Sequence, residues 1–261
     1  MRVIREPEIY LVGRQVVDQE SVQRFLQENE TTLATDAEVG AESLAEMAGR
    51  ICYMSFGAKQ GRKSNSDYLG NIIESGHGSV LEHAVWNFIL AGVSRSLTHE
   101  LVRHRAGWGY SQLSQRYVDE STVDFVEPEV IAEDPEAHQL WMEAIARSHD
   151  SYNRLVDRVA ARVEETHPDL SRASKRKMAR QAGRSVLPNA TETKIFITVN
   201  GRALRHFIEL RGGPGAEPEI RKLAVAMLKI MQQEAPSIFS DYQLKILEDG
   251  TQGVQVEHPK V

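Results

Sequence analysis

The chain has 261 residues, 41% of them hydrophobic and 26% charged, and its 37 acidic residues outnumber 31 Lys+Arg to leave a net charge of -6. That length and balance suit a soluble globular protein with a sizeable core, and the acidic excess argues against one built mainly to coat nucleic acid. A single cysteine, Cys52, excludes an internal disulfide framework and any multi-cysteine zinc site.

From the N-terminus, MRVIREPEIYLVGRQVVDQE carries acidic residues where a secretory signal needs an apolar core, and no later run is apolar enough to span a bilayer. A cytoplasmic location without a membrane partner is therefore expected. Within that stretch EIYLVGRQVVD suits a strand, and residues 18–30 and 40–55 read as helices. Cys52 falls in the second of these, where a buried, inert thiol is expected because nothing nearby would lower its pKa. Ser64 starts a helix that places Leu69, Ile72 and Ile73 on one face before Gly76 stops it. Residues 83–93, HAVWNFILAGV, form the strongest strand candidate. SRSLTHELVRHR follows with helical spacing and delivers Arg103, His104 and Arg105 into a glycine-containing loop.

A long helical pattern then runs from Asp134 to about Thr166 through Leu140, Trp141, Ile145, Tyr152, Leu155, Val159 and Val163. It ends at His167-Pro168, because the residue before proline is pushed out of the helical region. The basic segment SRASKRKMARQAGR is helix-prone and stops near Pro188. It is either a solvated helix face or a patch for polyanionic small molecules. TETKIFITVN alternates as a strand, GRALRHFIELRGG reads as a helix closed by glycines, and GPGAEPEIRKLAVAMLKIMQQEAPSIF gives a last amphipathic helix. Asp249-Gly250 marks the turn of a terminal hairpin. With no repeat or linker, a single α+β domain over residues 1–261 is expected.

The densest chemistry lies in RHRAGWGYSQLSQRY, residues 103–117. Guanidinium forks bind phosphate, aromatic rings stack on planar ligands, and glycines let a backbone approach them closely. The stretch reads as a site for a phosphorylated, flat molecule. Ser114 lacks a GxSxG elbow and a nearby base, so it is an anchoring hydroxyl rather than a nucleophile. His77, His83, His99 and His104 lack metal-ligand spacing, and no metal is expected. In SGHGSVLEH, His77 and Ser79 either line a pocket, with Glu82 holding a hydrogen-bond partner, or serve turn and capping chemistry. In NGRALRHFIELR, Arg202, His206 and Leu210 are four apart on one helix face, and Arg211 closes that helix, where a cation suits the dipole.

RHRAGWGYSQLSQRY closely resembles the signature of the flavin-dependent thymidylate synthase family. The resemblance continues through SGHGSVLEH, RQAGRSVLPNATETKIFITVNGRALRHFIELR and the EIRKLA helix, and covers residues 45–245 in order. It implies a mixed β-sheet flanked by helices and a homotetramer with shared active sites. It further implies a flavin-dependent C5-methylation of a uridylate nucleotide with FAD, NADPH and 5,10-methylenetetrahydrofolate. By position, Ser79, Glu82, Arg103, His104, Arg105, Asn200, Arg202 and His206 would hold the flavin. Glu100, Gln112, Ser114, Arg116, Arg184 and Arg211 would hold the nucleotide. His77 would lie near the folate and the flavin ring, and Arg211 would stabilise charge developing on the uracil. No nucleic-acid partner is implied. The reading that competes is a non-catalytic RNA- or nucleotide-binding module using the same basic segments.

The chain departs from the family pattern twice. AGWGYSQL, between Arg105 and Ser114, is one residue longer than the signature, and Gly215 stands where the family has a flavin-contacting histidine. Related enzymes that methylate UMP in nucleoside-antibiotic pathways are similar in the longer spacing, so UMP is expected as a candidate substrate beside dUMP.

Overall fold

Short polar side chains open most of the helices, each accepting a backbone N–H of the first turn that has no partner inside the helix. Asp18, Ser64, Ser94, Asp134, Ser171 and Asn200 do this in the computed structural model, which describes residues 1–261. The chain begins with β1 (Val3–Ile4), β2 (Glu8–Gly13), α1 (Gln19–Glu28), α2 (Gly40–Tyr53) and α3 (Asn65–Glu74). A 3-10 turn over Gly78–His83 leads to β3 (Val85–Ser94), α4 (Arg95–Leu101), β4 (Trp108–Gln112) and β5 (Phe125–Val126). After α5 (Glu129–Ala132) come α6 (Pro135–Thr166), α7 (Arg172–Gly183), β6 (Glu192–Asn200) and α8 (Gly201–Arg211). The chain closes with α9 (Pro218–Glu234), α10 (Pro236–Phe239), β7 (Tyr242–Ile246) and β8 (Gln252–Val256).

Four strands form a sheet in the order β2-β3-β6-β4, β1 pairs in parallel with β5, and β7 and β8 form an antiparallel hairpin. The fold is therefore α+β with mixed sheets, as expected. Three details differ from the sequence reading. The glycine-containing loop after Arg105 turns into β4, whose Trp108, Tyr110 and Gln112 alternate with more exposed neighbours. The last amphipathic helix breaks at Ala235, whose φ of -145° and ψ of 67° obey the restriction imposed by Pro236. On α6, Leu140 and Leu155 face solvent at 63% and 39% exposure, although they belong to its apolar pattern.

Contacts divide the chain into two compact units. The first comprises Met1–Glu8, Leu90–Val102 and Ser111–Ile195. Here α7 lies along α6, and Val123, Phe125 and Ile145 form a core with Trp141 and Ala190 against it. Part of the basic face of α7 is consumed in this packing. Lys175, nearly buried, donates to Glu164 Oε1 at 2.7 Å and to Pro168 O at 2.9 Å, and Arg180 donates to Asp119 Oδ2 at 2.7 Å.

The second unit comprises Ile9–Ile89, Arg103–Tyr110 and Phe196–Val261. Its core draws Leu69 from α3, Trp86 and Phe88 from β3, Leu204 and Phe207 from α8, and Leu223, Met227 and Met231 from α9, all fully buried. Each such side chain contributes about 1.5–3 kcal/mol by leaving water. Arg205, buried on the inner face of α8, makes paired bonds of 2.7 and 2.8 Å to the Asp241 carboxylate. That bidentate pair fixes α8 against the chain that follows α10.

Candidate active site

Helix α8 is the spine of the site. Asn200, at the end of β6, caps it by accepting from Ala203 N at 2.9 Å, and Asn200 N donates to Gly107 O at 3.0 Å. Gly107 has φ of +74°, and a Cβ there would sit 2.6 Å from Asn200 Nδ2 and 2.8 Å from Ala203 Cβ. Only a residue without a side chain lets the loop after Arg105 rest on the first turn of α8.

Three cavities follow one another along this helix. The first, about 340 Å³, is lined by Arg103, His104, Arg105, Trp108, His206 and Arg211 among others. The second, about 230 Å³, shares His206 with it and adds Glu82, Gly107, Asn200 and Arg202. The third, about 290 Å³, shares Arg202 with the second and adds His77, Ser79, Cys52 and Tyr53. Residues 202, 206 and 210 thus present one face to a run of cavities about 12 Å long, at about 1.5 Å per helical residue. All eight residues assigned by resemblance to flavin, together with His77 and Arg211, line this run.

Inside the run the polar side chains are oriented by their neighbours. Arg211 Nε donates to His104 Nε2 at 3.2 Å, which requires a lone pair on Nε2 and places the ring proton on Nδ1. His104, 9% exposed, is wedged edge-on against Phe207 at 5.3 Å and packs against Trp108 at 6.0 Å. Trp108 in turn stacks on Tyr110 at 5.7 Å. Burial pushes the Tyr110 phenol well above its ordinary pKa, so it stays protonated and donates to His104 O at 2.7 Å. Glu82 accepts from Arg202 Nη1 at 2.6 Å. One carboxylate against Arg103, Arg105, Arg202 and Arg211 leaves the cleft strongly cationic. An elongated, donor-rich cleft with an aromatic wall fits a dinucleotide such as FAD.

The residues expected at the nucleotide lie, except for Arg211, in the first unit. Gln112 Nε2 donates to Thr98 Oγ1 at 3.0 Å. Ser114 starts a turn, its carbonyl accepting from Tyr117 N at 3.1 Å and Val118 N at 3.0 Å, and Arg116 lies over the Tyr117 ring at 5.6 Å. Glu100 is half-buried on α4, and Arg184 is exposed at the end of α7. The sequence reading passed over Arg95, whose Nη2 donates to Leu113 O at 2.9 Å while its buried Nε has no partner. Burial lowers the Arg95 pKa, Glu120 counters this, and Arg184 lowers it further, so two guanidiniums repel each other there. An anion would relieve both the repulsion and the unpaired donor. A signal existed in the sequence: a cation directly after the Ser94 cap opposes the helix dipole, so packing alone would not favour it.

Cys52 corrects another expectation. Its thiol is exposed rather than buried, and with the exposed ring of Tyr53 it lines the third cavity. These residues close α2, where the apolar face of the helix has already turned away from solvent-facing positions 51–53.

The chain is also similar to known proteins. The sequence model of the family described as "Thymidylate synthase complementing protein" (Thy1) matches residues 34–237. The chain belongs to that family. Among its relatives, the flavin-dependent thymidylate synthase of Mycolicibacterium vanbaalenii is 47% identical over 84% of this chain and 86% of its own. That of Mycobacterium sp. strain JLS is 49% identical over the same shares, and that of Mycobacterium avium is 44% identical over 87% and 90%.

Proposed function

We propose that the chain is a flavin-dependent methyltransferase that places a methyl group on C5 of a uridylate nucleotide, dUMP and/or UMP. It takes the carbon from 5,10-methylenetetrahydrofolate. The observation that carries this reading is the cationic cleft along α8, walled by the Arg103-His104-Arg105 turn in a chain of this family. FAD, reduced by NADPH, supplies when bound the hydride that completes the methyl group.

The residues then divide the work. Arg103 and Arg105 attract an anionic cofactor, while Ser79, Glu82, His104, Asn200, Arg202 and His206 hold and orient it. His77, in the third cavity, contacts the folate and the flavin ring. Ser114, Arg116 and Arg184 neutralise the nucleotide phosphate, and Glu100 and Gln112 fix the base and sugar. Arg211, aimed by His104, stabilises negative charge on a uracil carbonyl oxygen as C6 is attacked or polarised. Cys52 has no part in the chemistry.

Acceptance of UMP belongs to the same proposal. The longer loop before Ser114 motivates it, as does Gly215, where a Cβ would meet nothing within 4 Å, so packing does not require that glycine. A cytoplasmic homotetramer with shared active sites also belongs to it. Exposed Tyr53, Tyr117, Leu140 and Phe196 supply apolar surface for such contacts. The chain crosses between its two units repeatedly, for instance at Val102–Arg103 and Tyr110–Ser111, which supports treating residues 1–261 as one functional domain.

Purified protein is expected to be yellow, to bleach with NADPH, and to release tritium from C5-tritiated dUMP and UMP when folate is present. Colourless protein that fails to take up added FAD would overturn the proposal. Tritium release from dUMP alone would overturn its UMP half.

A further inference from the structure

After β8 the chain runs back along α8. Glu257 N donates to Asp241 O at 3.0 Å, and His258 O accepts from Arg205 Nη2 at 3.3 Å. One helical turn further, Lys260 N donates to Glu209 Oε2 at 3.0 Å. Val261 is only 7% exposed and lies against the 3-10 turn that follows His77. A Cβ built on Gly78 would come 2.4 Å from the Val261 carbonyl carbon, 3.2 Å from its oxygen and 3.4 Å from Arg202 Nε. The tail, the turn and the first exposed arginine of α8 therefore converge on one point. Gly78 and Arg202 are both walls of the third cavity, and Arg202 is shared with the second.

We propose that His258–Val261 braces the Gly78 turn from behind the cleft and through that turn positions Arg202 for the dinucleotide. This rests on the reading of the cleft as a flavin site. Arg202 is half-exposed and rotamer-rich, so a cation on its own would lose entropy on meeting a ligand. Glu82 holds its Nη1 from one side, and the Gly78 turn, backed by Val261, lies beside its Nε. Arg202 is thereby set in place before a phosphate arrives.

The anchoring distinguishes a fixed brace from a removable plug. The tail's grip is Arg205, 1% exposed and paired with Asp241, so releasing it disturbs a buried ion pair. Lys260 has φ of 63°, which is disfavoured for a residue bearing a Cβ and persists where the surroundings hold it. Gly78 gives way to the tail by lacking a side chain.

The experiment compares the full chain with a variant ending at Glu257 and with Glu209→Ala. FAD affinity is read by flavin fluorescence, the bound cofactor by its visible spectrum, and the apoproteins by melting temperature and circular dichroism. The truncated variant is expected to bind FAD about ten-fold more weakly with a shifted flavin spectrum. Its apoprotein should keep its circular dichroism while melting lower, by about 2–4 °C for each kcal/mol lost with the Arg205 contact. Glu209→Ala should weaken binding in the same direction while keeping the fold, and it decides the matter if truncation unfolds the chain. Equal affinity in the truncated variant or in Glu209→Ala would overturn the proposal, and tighter binding would show a removable plug instead. Failure of the full chain itself to bind FAD would overturn the flavin reading and this inference with it.

Discussion

Replacing Gly107 with alanine tests whether the cleft depends on the loop seated on α8. The new Cβ would face a left-handed backbone, which costs about 1–2 kcal/mol in a residue with a side chain. It would also press into Asn200 Nδ2 and Oδ1 at 2.6 and 2.7 Å. Asn200 cannot yield without releasing the cap on Ala203 N, worth about 1 kcal/mol. The expected loss is about 2–3 kcal/mol, and at about 2–4 °C per kcal/mol for a chain of this size the melting temperature should fall by roughly 4–12 °C. Gly109→Ala is the matched control. Its nearest neighbour would be Thr198 Cβ at 3.6 Å, an ordinary contact, so stability should stay within about 0.5 kcal/mol. Calorimetry of the apoproteins and an FAD titration of each would read both effects. If Gly107→Ala matches the parent in melting and in FAD uptake, or if the two variants lose equally, the account of the loop is wrong.

Asp241→Asn should cost about 3–5 kcal/mol, because it leaves Arg205 buried without its counter-charge. Urea denaturation checks this, and a midpoint within error of the parent would contradict it. Glu120 is nearly buried with Oε1 unpartnered, and burial raises its carboxyl pKa despite the pull of Arg95. The folded state therefore holds this proton more tightly than the unfolded one. That contribution is full below the ordinary glutamate range and is lost as pH rises through the raised value. Glu120→Gln should therefore gain stability relative to the parent as pH rises from the ordinary glutamate range through the raised value. A stability difference independent of pH would refute the assignment. Arg211→Ala should abolish methylation, read by tritium release, while FAD remains bound, and near-normal turnover would remove the role given to this arginine.

Where a feature depended on neighbours in sequence, the sequence displayed it. Ser64, Asp134 and Ser171 cap helices within three residues of themselves, and His167-Pro168 ends α6 by local sterics. The face of Arg202, His206 and Leu210 followed from helical spacing alone, and its cavity-lining position agrees. Features that depended on remote partners were hidden. WGYSQ carries a glycine and two small polar residues, a weak strand by composition, and it becomes β4 beside β6. Cys52 looked buried because the periodicity of α2 was extended to its last turn, where the helix has left the core. Arg95 shows in sequence only as a cation misplaced after the Ser94 cap, and Glu120 gives no sign of the buried, unpartnered atom it carries.

The hydrogen bond from Asn200 to Gly107 joins positions about ninety residues apart, and closing so long a loop is slow and entropically costly. The Gly107 loop therefore cannot seat on α8 until β6 has been synthesised and has found its place beside the earlier strands. A flavin that requires the seated loop would bind only to chains that have completed this step. Cofactor uptake would then mark the end of folding, and incomplete chains would stay colourless.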